Sequence, residues 1–421
     1  MKIFKYIFII LLSISCSVHK KIPAPKNVAK LYNPSASKIH PAFSVYHNNE
    51  TSSILFVKVF PKELLFSMAN PEGEYKASFR VSFNLAEIDG KDNLAVDSGT
   101  FTYDFLRQSA EQRVIKQISI KAVNGKIYQL KVQAIDLIRK EEVIRYFYVD
   151  KRTEFSQQNF MIYDEKSQMP YFAPYVLGSA QFKIMYNNPD KYKSIFVSYY
   201  GQDMPLPKPS FTVTRENIYL SQPDSLWELP YDQNLSYKMA YEGMYFFQFD
   251  TTVKEGLTIL NFGPDFPRVK NAEEMILPIA YISSQVEFDN VRSAINKKLA
   301  VDDFWLQKAE EADRARELIR IYYTRVFFSN YYFTTFKPGW MTDRGMIFII
   351  YGPPQAIYVD VDKEKWMYYK KNYNSAITFI FDHVISPYTD NHYILERAES
   401  SEGYWKQAID SWKSGKVFSI N

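Results

Sequence analysis

PGWMTDRGMIFIIYGPP, residues 338–354, decides how the C-terminal third of this chain is read. Its second half, MIFIIY (346–351), is a near-continuous apolar run between two glycine-containing turns, and it reads as a central β-strand. On that reading Pro338 and Gly339 end a preceding helix and turn the chain. Trp340 wedges helix against sheet, with an N–H that needs one acceptor. Thr342 and Asp343 have short side chains that accept backbone N–H bonds in the turn. Arg344 is a rigid fork suited to a carboxylate, and Gly345 admits a positive φ or a close backbone approach before the strand begins.

The flanks give these residues a setting. Upstream, residues 288–333 are charged and lose two-residue alternation. Trp305, Ala309, Ala312, Ile319, Tyr323, Val326 and Phe333 recur at three- and four-residue steps, predicting one amphipathic helical stripe capped by Asp302 or Asp303. Downstream, Gly352, Pro353 and Pro354 turn the chain into QAIYVDV (355–361), KWMYYK (365–370), AITFIFD (376–382) and HYILERA (392–398). With MIFIIY these form an antiparallel meander of about five strands, one face of which lies against the helices. A short amphipathic segment, 401–418, closes the chain.

The motif has a structural and a catalytic interpretation. In the structural one, Asp343 pairs with Arg325 or another arginine of the preceding helix, and Arg344 meets Glu317 or Asp382. Losing one partner of a buried pair costs about 3–5 kcal/mol, enough to account for the constellation without catalysis. In the catalytic one, Asp343 joins Asp382 or Asp360 as a hydrolase carboxylate pair, or His383, His392, Asp390 and Asp382 hold a metal. The chain has no His-x-x-x-His, no Gly-x-Ser-x-Gly and no phosphate-cradling glycine loop. With five histidines in all, and two lone ones near strand ends expected at the surface, the structural interpretation is preferred. No catalytic residue, cofactor or metal ligand is assigned.

The first two thirds of the chain are β in texture. Between 42 and 150, ILFVKVF (54–60), YKASFRVSFNL (75–85), QRVIKQISIK (112–121), KIYQLKVQAID (126–136) and EVIRYFYVD (142–150) are strand-length runs. Asn124-Gly125 reads as a hairpin turn between two of them. They predict an antiparallel sandwich of immunoglobulin-like size. From 151 to 270, NFMIYD, AQFKIMYN, SIFVSYYG, GMYFFQFD and LTILNFG predict a second one, interrupted by the proline-dense QDMPLPKPSF (202–211), which must be loop or edge. The 33 Tyr and 32 Phe fit cross-strand and core packing. The fold class is therefore mostly β with a C-terminal α+β domain: two tandem sandwiches, then 271–421.

The chain opens MKIFKYIFIILLSISCS. Lysines flank the short apolar run Ile7 to Leu12, a signal-peptide layout too short to span a bilayer, for which about 20 residues are needed. Cys16, the sole cysteine, ends that run and resembles the lipobox cysteine of bacterial lipoproteins. Ser15 fits the small-residue slot, and Ser13 stands where leucine is usual. Residues 1–15 are then a signal peptide and 16–41 a flexible, Pro- and Lys-rich lipidated tether. Each buried acyl methylene contributes about 0.8 kcal/mol, so several chains anchor firmly. An acidic run after the cysteine resembles a surface-export signal in Bacteroidetes-type lipoproteins; His19, Lys20 and Lys21 stand there instead, which places the body on the periplasmic side. A formal charge of +4 scattered along the chain makes no case for nucleic acid.

RIYYTRVFFSNYYF, GWMTDRG (339–345), IIYGPP and KWMYY followed by FIFD together resemble the GWxTD domain of bacterial envelope proteins, over roughly 271–421. The resemblance implies an exported or lipid-anchored protein and carries no enzymatic activity with it. A fainter likeness, through Gly352, Pro354, Trp366 and Tyr368, is to small outer-membrane assembly lipoproteins built as helix, strand, Gly-x-Pro turn and Trp-x-Tyr strand. The expected function is a non-enzymatic envelope lipoprotein, anchored at the outer membrane, that binds a protein partner. The alternative is a glycan-binding protein or glycan hydrolase using carboxylates near the motif.

Overall fold

The computed structural model describes residues 27–33, 37–71, 73–88, 94–201, 204–213, 220, 222–360, 362–369 and 376–418. The signal, Cys16 and most of the tether expectation lie outside these residues. The chain is mostly β with C-terminal helices, 36% strand and 26% helix.

The first sandwich packs two antiparallel sheets. One orders Ala42–His47, Ser52–Val59 and Val114–Lys121; the other is built on Tyr75–Glu87, which pairs with Ser67–Met68, Leu94–Leu106 and Ile127–Asp136, the last also pairing with Glu141–Asp150. Alternate residues such as Tyr128, Leu130, Val132 and Ala134 point inward to meet Leu55, Val57, Ile118 and Ile120, as a one-sided pleat requires. Asn124-Gly125 is not a hairpin turn. Val114–Lys121 pairs with Ser52–Val59, so the turn carries the chain across to the opposite sheet. Both flanking strands need the same core, and sheets about 10 Å apart are bridged by this short link.

In the second sandwich, Phe160–Asp164, Gln181–Tyr186 and Ser236–Lys238 face a sheet ordered Ser225–Pro230, Ser194–Tyr200, Gly243–Gln248, Leu257–Asn261. The last two strands are buried at every position. Tyr245, Phe247, Leu257 and Ile259 fill the sandwich core, while Met244, Phe246 and Leu260 pack outward against Phe336 and Tyr388 of the C-terminal domain. Residues 204–211 of the proline-dense stretch form no strand and lie on the C-terminal domain. Arg397 Nη2 donates to Lys208 O (3.2 Å), Ala398 N to Ser210 O (3.1 Å), and Phe211 meets Trp405 edge-on.

The helices are α1 (Ala272–Ile276), α2 (Gln285–Ser293), α3 (Lys297–Ala309), α4 (Ala312–Phe333), α5 (Asp343–Tyr351) and α6 (Glu402–Lys413). The expected single stripe is two helices broken at Glu310, whose φ is 65°. Asn296, rather than Asp302 or Asp303, caps α3 by accepting from Leu299 N (3.0 Å). Trp305, Tyr323, Val326 and Phe333 are buried as expected, but Ala312 is exposed, and Leu318 and Tyr322 take the inward places.

The largest correction concerns MIFIIY, which is helix α5 and not a strand. The meander accordingly has four strands, Ala356–Val359, Lys363–Tyr368, Ile377–His383 and Tyr393–Leu395. All nine residues of α5 are buried, and beyond its paired Asp343 and Arg344 the helix is apolar on every side over Met346–Tyr351, as a fully enclosed position demands. The helix–strand–Gly-x-Pro likeness therefore fails at its strand. Residues 27–33 are not free tether either. Ala29–Tyr32 form one 3-10 turn, Val28 and Leu31 join the C-terminal core, and Val28 N donates to Ile357 O (2.9 Å).

Candidate functional site

The motif is a corner between the C-terminus of α4 and the N-terminus of α5. Thr334 Oγ1 bonds back to Asn330 O (2.5 Å) and accepts Gly339 N–H (3.2 Å), and Asn330 Oδ1 accepts Trp340 N–H (3.1 Å). Gly339–Met341 form a 3-10 turn. Thr342 caps α5: its hydroxyl donates to Gly339 O (2.7 Å) and accepts Gly345 N–H (3.1 Å), the arrangement that satisfies an otherwise orphaned first-turn donor. Two glycines make this closeness possible. A Cβ on Gly339 would lie 1.9 Å from Ser329 O, and one on Gly345 would lie 1.9 Å from Gly339 O. Gly345 serves close approach, within a helix. Trp340 is buried, its carbonyl accepting from Tyr281 Oη (2.8 Å) with the two rings edge-on.

Asp343 does not pair with Arg325. Its side chain, 2% exposed, meets Arg397 through Nη2–Oδ1 (2.5 Å) and Nη1–Oδ2 (3.1 Å), and Oδ2 also accepts Leu395 N–H (2.8 Å). Arg325 lies at the other end of α5, where it donates to Ile349 O (2.9 Å) and Ile350 O (3.1 Å) over the Trp412 ring. Burial pushes the pKa of this guanidinium down to about 10. It occupies the C-terminal pole of α5, which favours a cation; Asp343 occupies the N-terminal pole, which favours an anion. A helix that binds a charge of the right sign at each end cannot bring those two charges together across its own length of nine residues.

Arg344 meets neither Glu317 nor Asp382. Those acids sit nearer the surface, paired with Arg314 and Lys363. Arg344, 2% exposed, donates to Glu364 Oε1 (3.2 Å), to Asn391 O (2.8 Å) and to the Asn391 side-chain oxygen. Its guanidinium stacks 4.0 Å from the Tyr393 ring centre. Glu364 also accepts from Tyr32 Oη (2.8 Å) and Trp366 Nε1 (3.0 Å). Burial opposes the charge on Arg344, but Glu364 and the surrounding tyrosines hold its pKa above the ordinary value. Asn391 Nδ2 in turn donates to Tyr332 O (3.1 Å) and Thr334 O (3.0 Å) at the end of α4. One arginine thus ties the N-terminal segment, the sheet, the 391 loop and α4 together.

Gly352 ends α5 at φ 83°, where a Cβ would lie 2.7 Å from Arg325 Nη2. The following Pro353 and Pro354 lead into the first strand of the sheet. Tyr368 Oη donates to Gly352 O (2.9 Å), and Trp366 is fully buried. Sequence reasoning missed Arg397, Glu364, Asn391 and Tyr32. A charged residue two positions from the buried Trp366 in a strand, and one in YILERA two positions past a core leucine, share the inward face by alternation; that was the available signal for Glu364 and Arg397.

Of the groups of the catalytic interpretation, His383 Nε2 meets Asp390 through the backbone carbonyl (2.9 Å) and not through the carboxylate. His392 is buried, not at the surface, against Phe336, and burial together with Lys337 and Arg344 pushes its pKa down to about 3. His383 stacks on Tyr148 of the first sandwich at 4.1 Å, and burial lowers its pKa. Asp390 is exposed, and Asp382 pairs with Lys363. Among the described residues no group of three or more His, Cys, Asp or Glu is placed to hold a metal, and no helix is long and apolar enough to cross a membrane.

The family model of the GWxTD domain matches residues 243–414, and the chain is a GWxTD domain-containing protein. The match begins at Gly243, upstream of the expected boundary at 271, and so takes in the two strands buried between the second sandwich and the helices. No curated protein matches. Among solved structures, one named "putative beta-galactosidase from bacteroides fragilis" is 12% identical with a TM-score of 0.18, covering 34% of this chain. The chain spans about 20% of that protein's length, and the likeness carries no functional argument.

Proposed function

We propose that this GWxTD domain-containing protein is a non-catalytic scaffold of the bacterial cell envelope, held at the outer membrane by lipid on Cys16 with its body on the periplasmic side, and offering its C-terminal domain to a protein partner. The observation that carries the non-catalytic part is the internal pairing of the motif. Asp343 and Arg344 are each 2% exposed and bound to Arg397 and Glu364. A catalytic acid or base must come within hydrogen-bond reach of a substrate, and these groups are enclosed by protein. The hydrolase reading at the motif loses its carboxylate on the same ground.

The anchor rests on sequence: Lys2, Lys5, the apolar run and Cys16 in lipobox position. A protein-binding role is supported by α3, which leaves Leu299 and Leu306 exposed two turns apart, with Ile295 exposed just before it. Such spacing suits a partner helix or groove. Cell fractionation tests the anchor. Wild type should sediment with membranes and Cys16→Ala should become soluble; membrane association surviving that change overturns lipidation. A photo-crosslinking amino acid at Leu299 or Leu306 in living cells should give a discrete adduct with an envelope protein. Recovery of the uncrosslinked chain alone from both positions overturns the scaffold role.

A further inference from the structure

Between the N-terminal segment, the first sandwich and α4 lies a cavity of about 50 Å³. The sandwich contributes Glu141–Asp150, the edge strand of its sheet. Val28, Leu31, Ile39 and Val143 give the cavity buried, apolar walls. Arg145 lines it too, and its one hydrogen bond among the described residues runs from Nη1 to the neighbouring Ile144 O (3.1 Å). Burial pushes the pKa of this guanidinium down, and the groups close enough to oppose that are the hydroxyls of Tyr32, Tyr332 and Tyr331 rather than a carboxylate. Arg344 and Arg397 each meet a carboxylate, and Arg325 has the C-terminal pole of α5; Arg145, on a strand, has neither. Tyr332 shares the lining, and burial raises its pKa, so the phenol keeps a proton to donate. The acid and the histidine of the lining are engaged elsewhere: Glu142 Oε2 accepts from Gln133 Nε2 (2.5 Å), and His40 meets Glu63 Oε1 (3.3 Å). Lys30, also in the lining, is exposed.

We propose that this cavity binds a small carboxylate, its anionic end held by Arg145 and the Tyr332 hydroxyl and its carbon end lying against Val28, Leu31 and Ile39. A guanidinium presents a planar fork of N–H donors that matches two carboxylate oxygens, and a phenol adds one donor. A buried cation is costly until an anion joins it. A chain that keeps Arg145 here without a carboxylate of its own is therefore stabilised by taking one from solution. The volume agrees. A water needs about 10–15 Å³ of such space, so about three or four waters, or one carboxylate bearing one or two further carbons, fill the cavity. Phosphate matches less well, because it brings more oxygens and more charge, and apolar walls offer those oxygens no donors. The site owes nothing to the lipid anchor or to a partner on α3.

The test titrates the full chain with acetate and with propionate by calorimetry at pH 7 and constant ionic strength, with inorganic phosphate as the comparison anion. Acetate or propionate should bind one to one at millimolar concentration. Arg145→Met should weaken that binding about tenfold or more, as loss of a charge-assisted hydrogen bond does. Arg145→Lys should restore part of it, since it keeps the charge without the fork. Tyr332→Phe keeps the ring and its packing and should weaken binding about threefold or more. Arg316→Met, at an exposed position on α4, should change nothing. Without ligand, Arg145→Met should melt no lower than wild type, because it removes a charge that has no counter-ion. The proposal is overturned if neither carboxylate binds at millimolar concentration, if phosphate binds more tightly than both, or if Arg145→Met and Tyr332→Phe both bind as wild type does. It is overturned as well if ligand-free Arg145→Met melts well below wild type or fails to fold, which makes the arginine a structural tie.

Discussion

Truncating either member of the Asp343–Arg397 pair should destabilise the C-terminal domain severely, and by unequal amounts. The groups meet through bonds of 2.5 and 3.1 Å with side-chain exposures of 2% and 3%, so removing one leaves the other charged and away from water. Breaking a buried pair from one side costs about 3–5 kcal/mol, against at most about 1 kcal/mol for a surface bridge such as Arg316–Asp313. After Arg397→Met, Asp343 still accepts Leu395 N–H at 2.8 Å and sits in the first turn of α5, where the helix favours an anion by up to about 2 kcal/mol. After Asp343→Ala, Arg397 keeps the carbonyls of Lys208 (3.2 Å) and Leu395 (3.5 Å), and Leu395 N–H loses its acceptor. Arg397→Met should therefore fall near 3 kcal/mol and Asp343→Ala near 5, both about these values. The double variant should be milder than their sum by about 2 kcal/mol or more. Urea unfolding followed by tryptophan fluorescence is the suitable assay, because Trp305, Trp340, Trp366, Trp405 and Trp412 are five of the six tryptophans and all lie in this domain. Strict additivity, or single effects under about 1 kcal/mol, would refute the reasoning.

Other outcomes follow from the same geometry. Gly345→Ala should abolish folding of the C-terminal domain, since its Cβ would lie 1.9 Å from Gly339 O; Gly403→Ala, with open space around it in α6, should stabilise by about 0.5–1 kcal/mol, and a reversed order in thermal melts would contradict the packing. Arg325→Met should cost about 2 kcal/mol by stripping the C-terminal pole of α5 of its cation, measured by the same urea titration; no change would show that Ile349 and Ile350 carbonyls need no donor there. His47 is buried in the first sandwich, bonded to Ser53 and the Asp150 carbonyl, and burial pushes its pKa down to about 4. The unfolded chain takes up that proton near pH 6.5, so the stability contribution is complete above pH 6.5 and is lost as pH falls towards 4, by about 3 kcal/mol in all. His47→Gln should flatten that acid limb, read by hydrogen exchange on Ser52–Val59; an unchanged limb would remove His47 from the account.

The β-rich class, most strands of both sandwiches, the closing helix and the place of the motif at a helix end were legible because each rests on local pattern: two-residue alternation, amphipathic spacing, or Pro and Gly as punctuation. What misled was local pattern with two solutions. Six apolar residues in MIFIIY suit a central strand and an enclosed helix equally. Asn124-Gly125 suits a hairpin and a link between sheets. Arg325 was the nearest plausible partner in sequence, whereas Arg397 comes to Asp343 across 54 residues.

The sequence alone determined what chemistry the motif held: a glycine to turn the chain and one for a close backbone approach, a hydroxyl to accept a backbone N–H, an acid and an arginine requiring partners. Tertiary structure decided the partners and the form of the segment between them. Side-chain period describes one exposed and one buried face, and α5 has no exposed face, so its periodicity carried no information. The choice between helix and strand passed to what surrounds it: Thr342 at one end, Arg325 at the other, and a sheet that closes with four strands without it.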